Sequence, residues 1–171
     1  GSLMGVIAVL RQTLLDARHH QEAWRLHRLQ PTKHPRPEHH PALLALKPAI
    51  SGHQKIVIDP MHPLMVDRIR VLTRELGWDP ILLATGEEWR RPDLARRFQV
   101  PWIVPLTFPD LPRDLSEVDR QALDLDDLRA WDWAPHNPGL LAEMGHTLAL
   151  TAWGLPDPKS FRKRLEQAVQ C

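Results

Sequence analysis

Cysteine is almost missing from these 171 residues: Cys171, the last, is the only one, so a disulfide framework within the chain is excluded. Tyrosine is absent. No sign of charge dominates, because 22 Lys and Arg face 21 Asp and Glu for a net +1. That balance argues against nucleic acid or an anionic membrane surface as a partner. Long apolar runs are also lacking. The opening Gly1–Leu10 is apolar but stops at Arg11, too short to span a bilayer and without the basic stretch of a signal peptide. A reducing compartment is permitted and not required, which leaves cytoplasmic and secreted locations both open. No Gly-rich phosphate loop, Gly-x-Ser-x-Gly elbow or Cys-x-x-Cys pair occurs.

What is present is 17 prolines, 7 tryptophans and 10 histidines, in a chain whose 43% apolar and 25% charged content is ordinary for a globular domain. Proline at this density predicts short elements separated by many turns. Leu3, Ile7, Leu10, Leu14, Leu15, Ala17 and Trp24 recur at helical spacing and predict one long helix over 3–29. Pro31, Pro35, Pro37 and Pro41 then predict a loop, followed by a short helix over 41–49 that Gly52 stops.

After residue 54 the pattern becomes regular. Short apolar runs at 56–58, 80–84, 102–106 and 147–151 predict buried strands. Helices are predicted over 66–76, 87–98 (divided or restarted at Pro92), 124–133, 137–145 with Asn137 as N-cap, and 158–169, with a proline-rich loop at 108–113. The division expected is a helical segment with a Pro- and His-rich loop over 1–54, and four strand–helix units over 55–171. Continuous apolar strands alternating with helices belong to an α/β fold with a parallel sheet. An open doubly wound sheet and a segment of a (β/α)8 barrel both satisfy the pattern.

Three segments resemble the imidazolonepropionase-like branch of the amidohydrolase superfamily. They are Gly1–Gly5 with Ile7-Ala8 and Leu10–Thr13; Val104–Pro109 with Asp127–Trp131 and Ala134–Pro138; and Leu148–Thr151 with Gly154-Leu155 and Asp157-Pro158. The resemblance implies that the chain is the C-terminal half of a (β/α)8 TIM-like barrel preceded by a long helix. It implies descent from a metal-dependent C–N hydrolase using zinc or a similar divalent ion. In such proteins the first strand carries a His-x-His ligand pair, which would lie upstream of residue 1. The strand equivalent to 56–58 and the next one each end in a ligand histidine. The last strand ends in an aspartate that binds metal and handles the proton of the attacking water. Those positions here hold Asp59, Thr85 (with Ala84 beside it) and Trp153.

Asp59 offers oxygen to a hard cation, Thr85 is at best a weak neutral ligand, and Trp153 has only an N–H donor. Zinc hydrolysis needs about three protein ligands and an open position for water. Asp59, His62 and His136 are therefore the candidate metal ligands at the strand-end face, with solvated loop histidines as the alternative reading. The expected chain is inactive alone. It either requires a missing N-terminal half-barrel or self-associates, and it takes a small-molecule substrate if it takes one. A non-catalytic binding or scaffolding module is the competing class, with the proline-rich arm as its docking element. An open flavodoxin-like binder ranks third. The histidines at 19, 20, 27, 34, 39 and 40 read as solvated surface, since no single helical face gathers three of them. Glu87-Glu88 and Asp124, Asp126 and Asp127 read as acidic residues favoured at helix N-termini.

Overall fold

The computed structural model describes residues 3–110, 117 and 123–171, and these form two compact units. Of the described residues, the first unit comprises 3–56 together with 75–79, and the second 57–74 with those from 80 onward.

In the first unit, α1 (Leu3–Leu29) is the long helix predicted, with Leu14 and Ala17 buried. The single helix expected over 41–49 is instead two, α2 (Pro41–Ala45) and α3 (Lys47–Ile50). Pro48 supplies the reason: it has no N–H to donate to a carbonyl four residues back and is tolerated only in a first helical turn. Gly52 then turns the chain with φ +73°. Arg11 pairs with Glu75 at 2.7 Å, and the Arg18 guanidinium donates to the carbonyl of Leu76, one of the orphan acceptors at a helix end. Lys55 pairs with Asp79.

The proline-rich segment lies back on α1 rather than standing free. The His20 ring bonds the Glu38 carbonyl at 2.8 Å, the His27 ring bonds the His34 carbonyl at 2.9 Å, and the Arg36 guanidinium sits 5.7 Å from the Trp24 ring centre. The reading of this histidine group as solvated surface is corrected for His20 and His27, which are half-buried fasteners. It stands for His19 and His39, which are exposed.

The second unit is built on four parallel strands in sequential order: β1 (Val57–Ile58), β2 (Ile81–Leu83), β3 (Trp102–Pro105) and β4 (Leu148–Thr151). Each strand pairs in register with the next, aligning Ile58, Leu82, Trp102 and Leu148 in one row. That row joins Val66, Ile69, Leu94 and Leu141 from the helices, and Phe98 from the segment after Arg96, in one apolar core. Side chains alternate across a sheet, so Val57, Ile81, Leu83, Ile103 and Ala149 face the other way, where Val57 and Ala149 are exposed. A sequential order has no reversal, and hence no doubly wound switch point among these strands.

Helices follow the strands. α4 (Met65–Leu76) ends at Gly77, whose φ of +64° is the left-handed stop that glycine supplies. The helix expected over 87–98 is a 3₁₀ turn at Glu88–Arg90 and then α5 (Pro92–Arg96), with Pro92 opening the second piece. α6 (Leu125–Trp133) starts with a capping box. The Asp124 carboxylate accepts from the amides of Asp126 and Asp127, and the Asp127 carboxylate accepts from the Asp124 amide. α7 (Asn137–Glu143) and α8 (Phe161–Gln170) complete the unit. Asn137 is not the cap expected: its own backbone is helical, His136 occupies the N-cap, and the amide side chain is buried. The loop expected at 108–113 lies outside the described residues from 111 onward. Among the described residues no helix is long and apolar enough to cross a membrane.

Candidate functional site

Parallel strands with helical crossovers present their carboxyl ends on one side, where the following loops build a site. Here the four strand ends enclose a depression of about 290 Å³ lined by Asp59, Met61, Thr85, Thr107, Trp153 and Gly154, among others. The three positions that the resemblance assigns to metal binding on these strands, Asp59, Thr85 and Trp153, thus share one concavity.

Asp59 follows β1 in an Asx turn. Its carboxylate accepts from the Met61 amide at 2.8 Å, and Met61 adopts a left-handed φ of +58°. The other carboxylate oxygen has no protein donor among the described residues. Thr85 follows β2, and both its amide and its hydroxyl donate to the same oxygen of Glu88, at 2.7 and 2.8 Å. The same hydroxyl accepts from the Glu87 amide at 3.1 Å, which leaves it little capacity for a ligand. Trp153 follows β4 and is 63% exposed, its indole at the rim of the depression. Gly154 has φ +82°, and a Cβ there would stand 3.2 Å from the Thr107 methyl, so only glycine lets these two loops approach so closely.

Behind Thr85 is a buried polar network. Glu88 is 1% exposed; its second oxygen accepts from the Asn137 side-chain amide at 2.7 Å, while the Asn137 carbonyl oxygen accepts from the Trp89 amide at 2.9 Å. Three donors thus meet the two oxygens of this buried side chain. The reading of Glu88 as a helix-dipole residue is corrected: it fastens the β2 loop to the first turn of α7. One signal for it was visible, since Thr85-Gly86-Glu87-Glu88 has the Ser/Thr-x-x-Glu spacing of a capping box. Asn137 carried no comparable signal.

The remaining candidates lie elsewhere. His62 is exposed, and its ring nitrogen accepts from the Leu64 amide at 3.1 Å, closing the turn before α4. His136 is half-buried and tilted against Trp133 at 5.9 Å between ring centres. Neither lines the depression with Asp59. Among the described residues no group of three or more His, Cys, Asp or Glu is placed to hold a metal ion.

A second concavity of about 630 Å³ continues from the first through Thr85, Thr107 and Gly154. Its charges satisfy one another. Arg90 pairs with Asp126 and lies 4.4 Å from the Trp89 ring centre, and Arg164 pairs with Asp110 at 2.6 Å. The Arg90 hydrogen bond holds the Asp126 carboxyl below the ordinary carboxylate range.

No family model and no curated protein matches this chain. Among solved structures it is similar to the crystal structure of an amidohydrolase from Thermotoga maritima MSB8, with a TM-score of 0.70 at 11% sequence identity. The likeness covers 99% of this chain and 40% of that one. At that identity the shared property is the fold: this chain has an amidohydrolase-like α/β arrangement and spans about 40% of that protein's length.

Proposed function

We propose that the chain forms the C-terminal half of a (β/α)8 barrel of the imidazolonepropionase-like kind, with the strand-end depression as its small-molecule site. The observation carrying this is the convergence of Asp59, Thr85 and Trp153 on one depression at the carboxyl ends of four sequential parallel strands. The donor set there does not fit the divalent metal of that family. Among the described residues Asp59 is the only carboxylate lining it, the Thr85 hydroxyl is committed to Glu88, and indole offers no lone pair. A second and a third ligand for metal-assisted hydrolysis are missing among the described residues. The site in this chain alone binds without hydrolysing C–N bonds.

Metal analysis of the purified chain, before and after incubation with zinc, tests the reading, together with an assay for hydrolysis of cyclic amides. Substoichiometric metal and no turnover are expected. One tightly held zinc per chain, with turnover abolished in Asp59→Ala, would overturn it.

The competing class, a non-catalytic binding module, is favoured by one observation, an exposed Trp153 lining the same depression as Asp59, one of whose oxygens has no donor among the described residues. Such a pair suits recognition without chemistry. Its proposed docking element is weakened, since the proline-rich segment is fastened to α1.

A further inference from the structure

Within the first unit, a concavity of about 340 Å³ lies between α1 and the α2–α3 pair, on the scale of the smaller ligand sites, roughly 300–1,000 Å³. Its polar lining is one-sided. Arg18, Gln21, Glu22, Arg25 and Arg28 recur every three or four residues along one face of α1, and Lys47 opens α3 opposite them. Four cations thus face one carboxylate, in a chain whose overall charge is only +1.

The single acid is already neutralised. Arg25 grips Glu22 through two parallel hydrogen bonds, at 2.8 and 2.7 Å. Arg18 is engaged with the Leu76 carbonyl. The Arg28 and Lys47 side chains have no hydrogen bond or ion pair among the described residues. The Gln21 side-chain nitrogen is buried without an acceptor, a condition that costs free energy until an acceptor or water arrives. In the second unit, by contrast, the cations of the large concavity are paired with carboxylates. The first unit therefore gathers cations around a space whose one carboxylate is already paired.

We propose that this concavity is a binding site for a compact phosphate-class dianion, either inorganic phosphate or the phosphate group of a small monoester. Arg28 and Lys47 supply the unpaired charge, Arg18 and Arg25 bound the cradle, and Gln21 turns its free amide to a phosphate oxygen. A guanidinium and an ammonium suit a tetrahedral oxyanion as a fork and a point charge respectively.

Isothermal titration of the full chain at constant ionic strength tests this, with inorganic phosphate, glycerol phosphate and succinate titrated separately. Saturable binding of a phosphate species is expected, and the tighter of the two phosphates identifies the source. R28Q and K47Q should each weaken binding about tenfold, the loss of one charge-assisted contact. Both side chains are exposed and unpaired, so the variants should melt like the parent. Succinate binding as tightly as phosphate would overturn the phosphate assignment. Absence of saturable binding, or affinity unchanged in the R28Q/K47Q double variant, would overturn the site.

Discussion

The Glu88 carboxylate and the Asn137 side-chain amide, 49 residues apart in sequence, meet in a 2.7 Å hydrogen bond and are each 1% exposed. This pair ties the loop after β2, which forms a wall of the strand-end depression, to the start of α7. Replacing Glu88 by alanine leaves the Thr85 amide, the Thr85 hydroxyl and the Asn137 amide without their acceptor. A stranded group costs about 1–3 kcal/mol where it is buried, as the Asn137 amide is, and less at the part-buried Thr85, so the summed loss should exceed that of Asn137→Ala, which strands fewer. Denaturant unfolding followed by tryptophan fluorescence measures both. Equal midpoints for Glu88→Ala and the parent would show the network to be incidental.

His146 gives a pH dependence whose sign is determined. Burial pushes its imidazole below the ordinary value, against a smaller opposing influence of the nearby Ala95 and Val100 backbone, and its ring packs 5.7 Å from that of Trp102. The folded state therefore prefers neutral His146, and the unfolded chain takes up its proton first, near pH 6.5. Stability from this group is complete above about pH 6.5 and declines as the pH falls below it. The stability difference between the parent and His146→Phe, measured from pH 8 downward, should change only below that point. A flat difference would remove His146 from the account.

Two glycine substitutions should have opposite signs. Gly154→Ala forces a left-handed φ of +82° on a residue with a Cβ and crowds Thr107, costing about 1–2 kcal/mol. Gly139 lies inside α7 with open space around its missing Cβ, so Gly139→Ala should stabilise by about 0.5–1 kcal/mol. Melting temperatures of the two variants, taken side by side, decide the point.

If the second unit is half of a barrel, its exposed sheet face requires cover. Val57 is 55% exposed there, and β1 and β4 each pair with one neighbour only among the described residues. Self-association is expected, or a gain in stability on supplying an N-terminal half-barrel. Light scattering and calorimetry across a range of concentrations read it directly; a monomer whose melt is independent of concentration would count strongly against the half-barrel.

Local punctuation was legible in the residues themselves. Pro92 restarting a helix, Gly77 ending one and Asp124 capping another act over three or four residues, and a sequence displays interactions of that range. The β-branched and apolar runs at 56–58 and 102–106 likewise announced strands, and the order of elements followed. Asp59, Thr85 and Trp153 could be named as candidate positions from a family resemblance. Whether those residues met at all depended on the register and order of β1 to β4.

The site's support was legible only in the Thr85-x-x-Glu88 spacing, and its long-range part was not, for the same reason. Glu88 looks like any acid near a helix start, and Asn137 like any cap before a proline. Their roles come from a contact across 49 residues. His20 and His27 read as surface because their acceptors, the carbonyls of Glu38 and His34, carry no residue-specific signature. The sequence by itself determined the kind and order of the helices and strands, since propensity and turn chemistry are local. Only the tertiary structure decided which polar groups became buried partners, because burial is a property of what the rest of the chain places alongside.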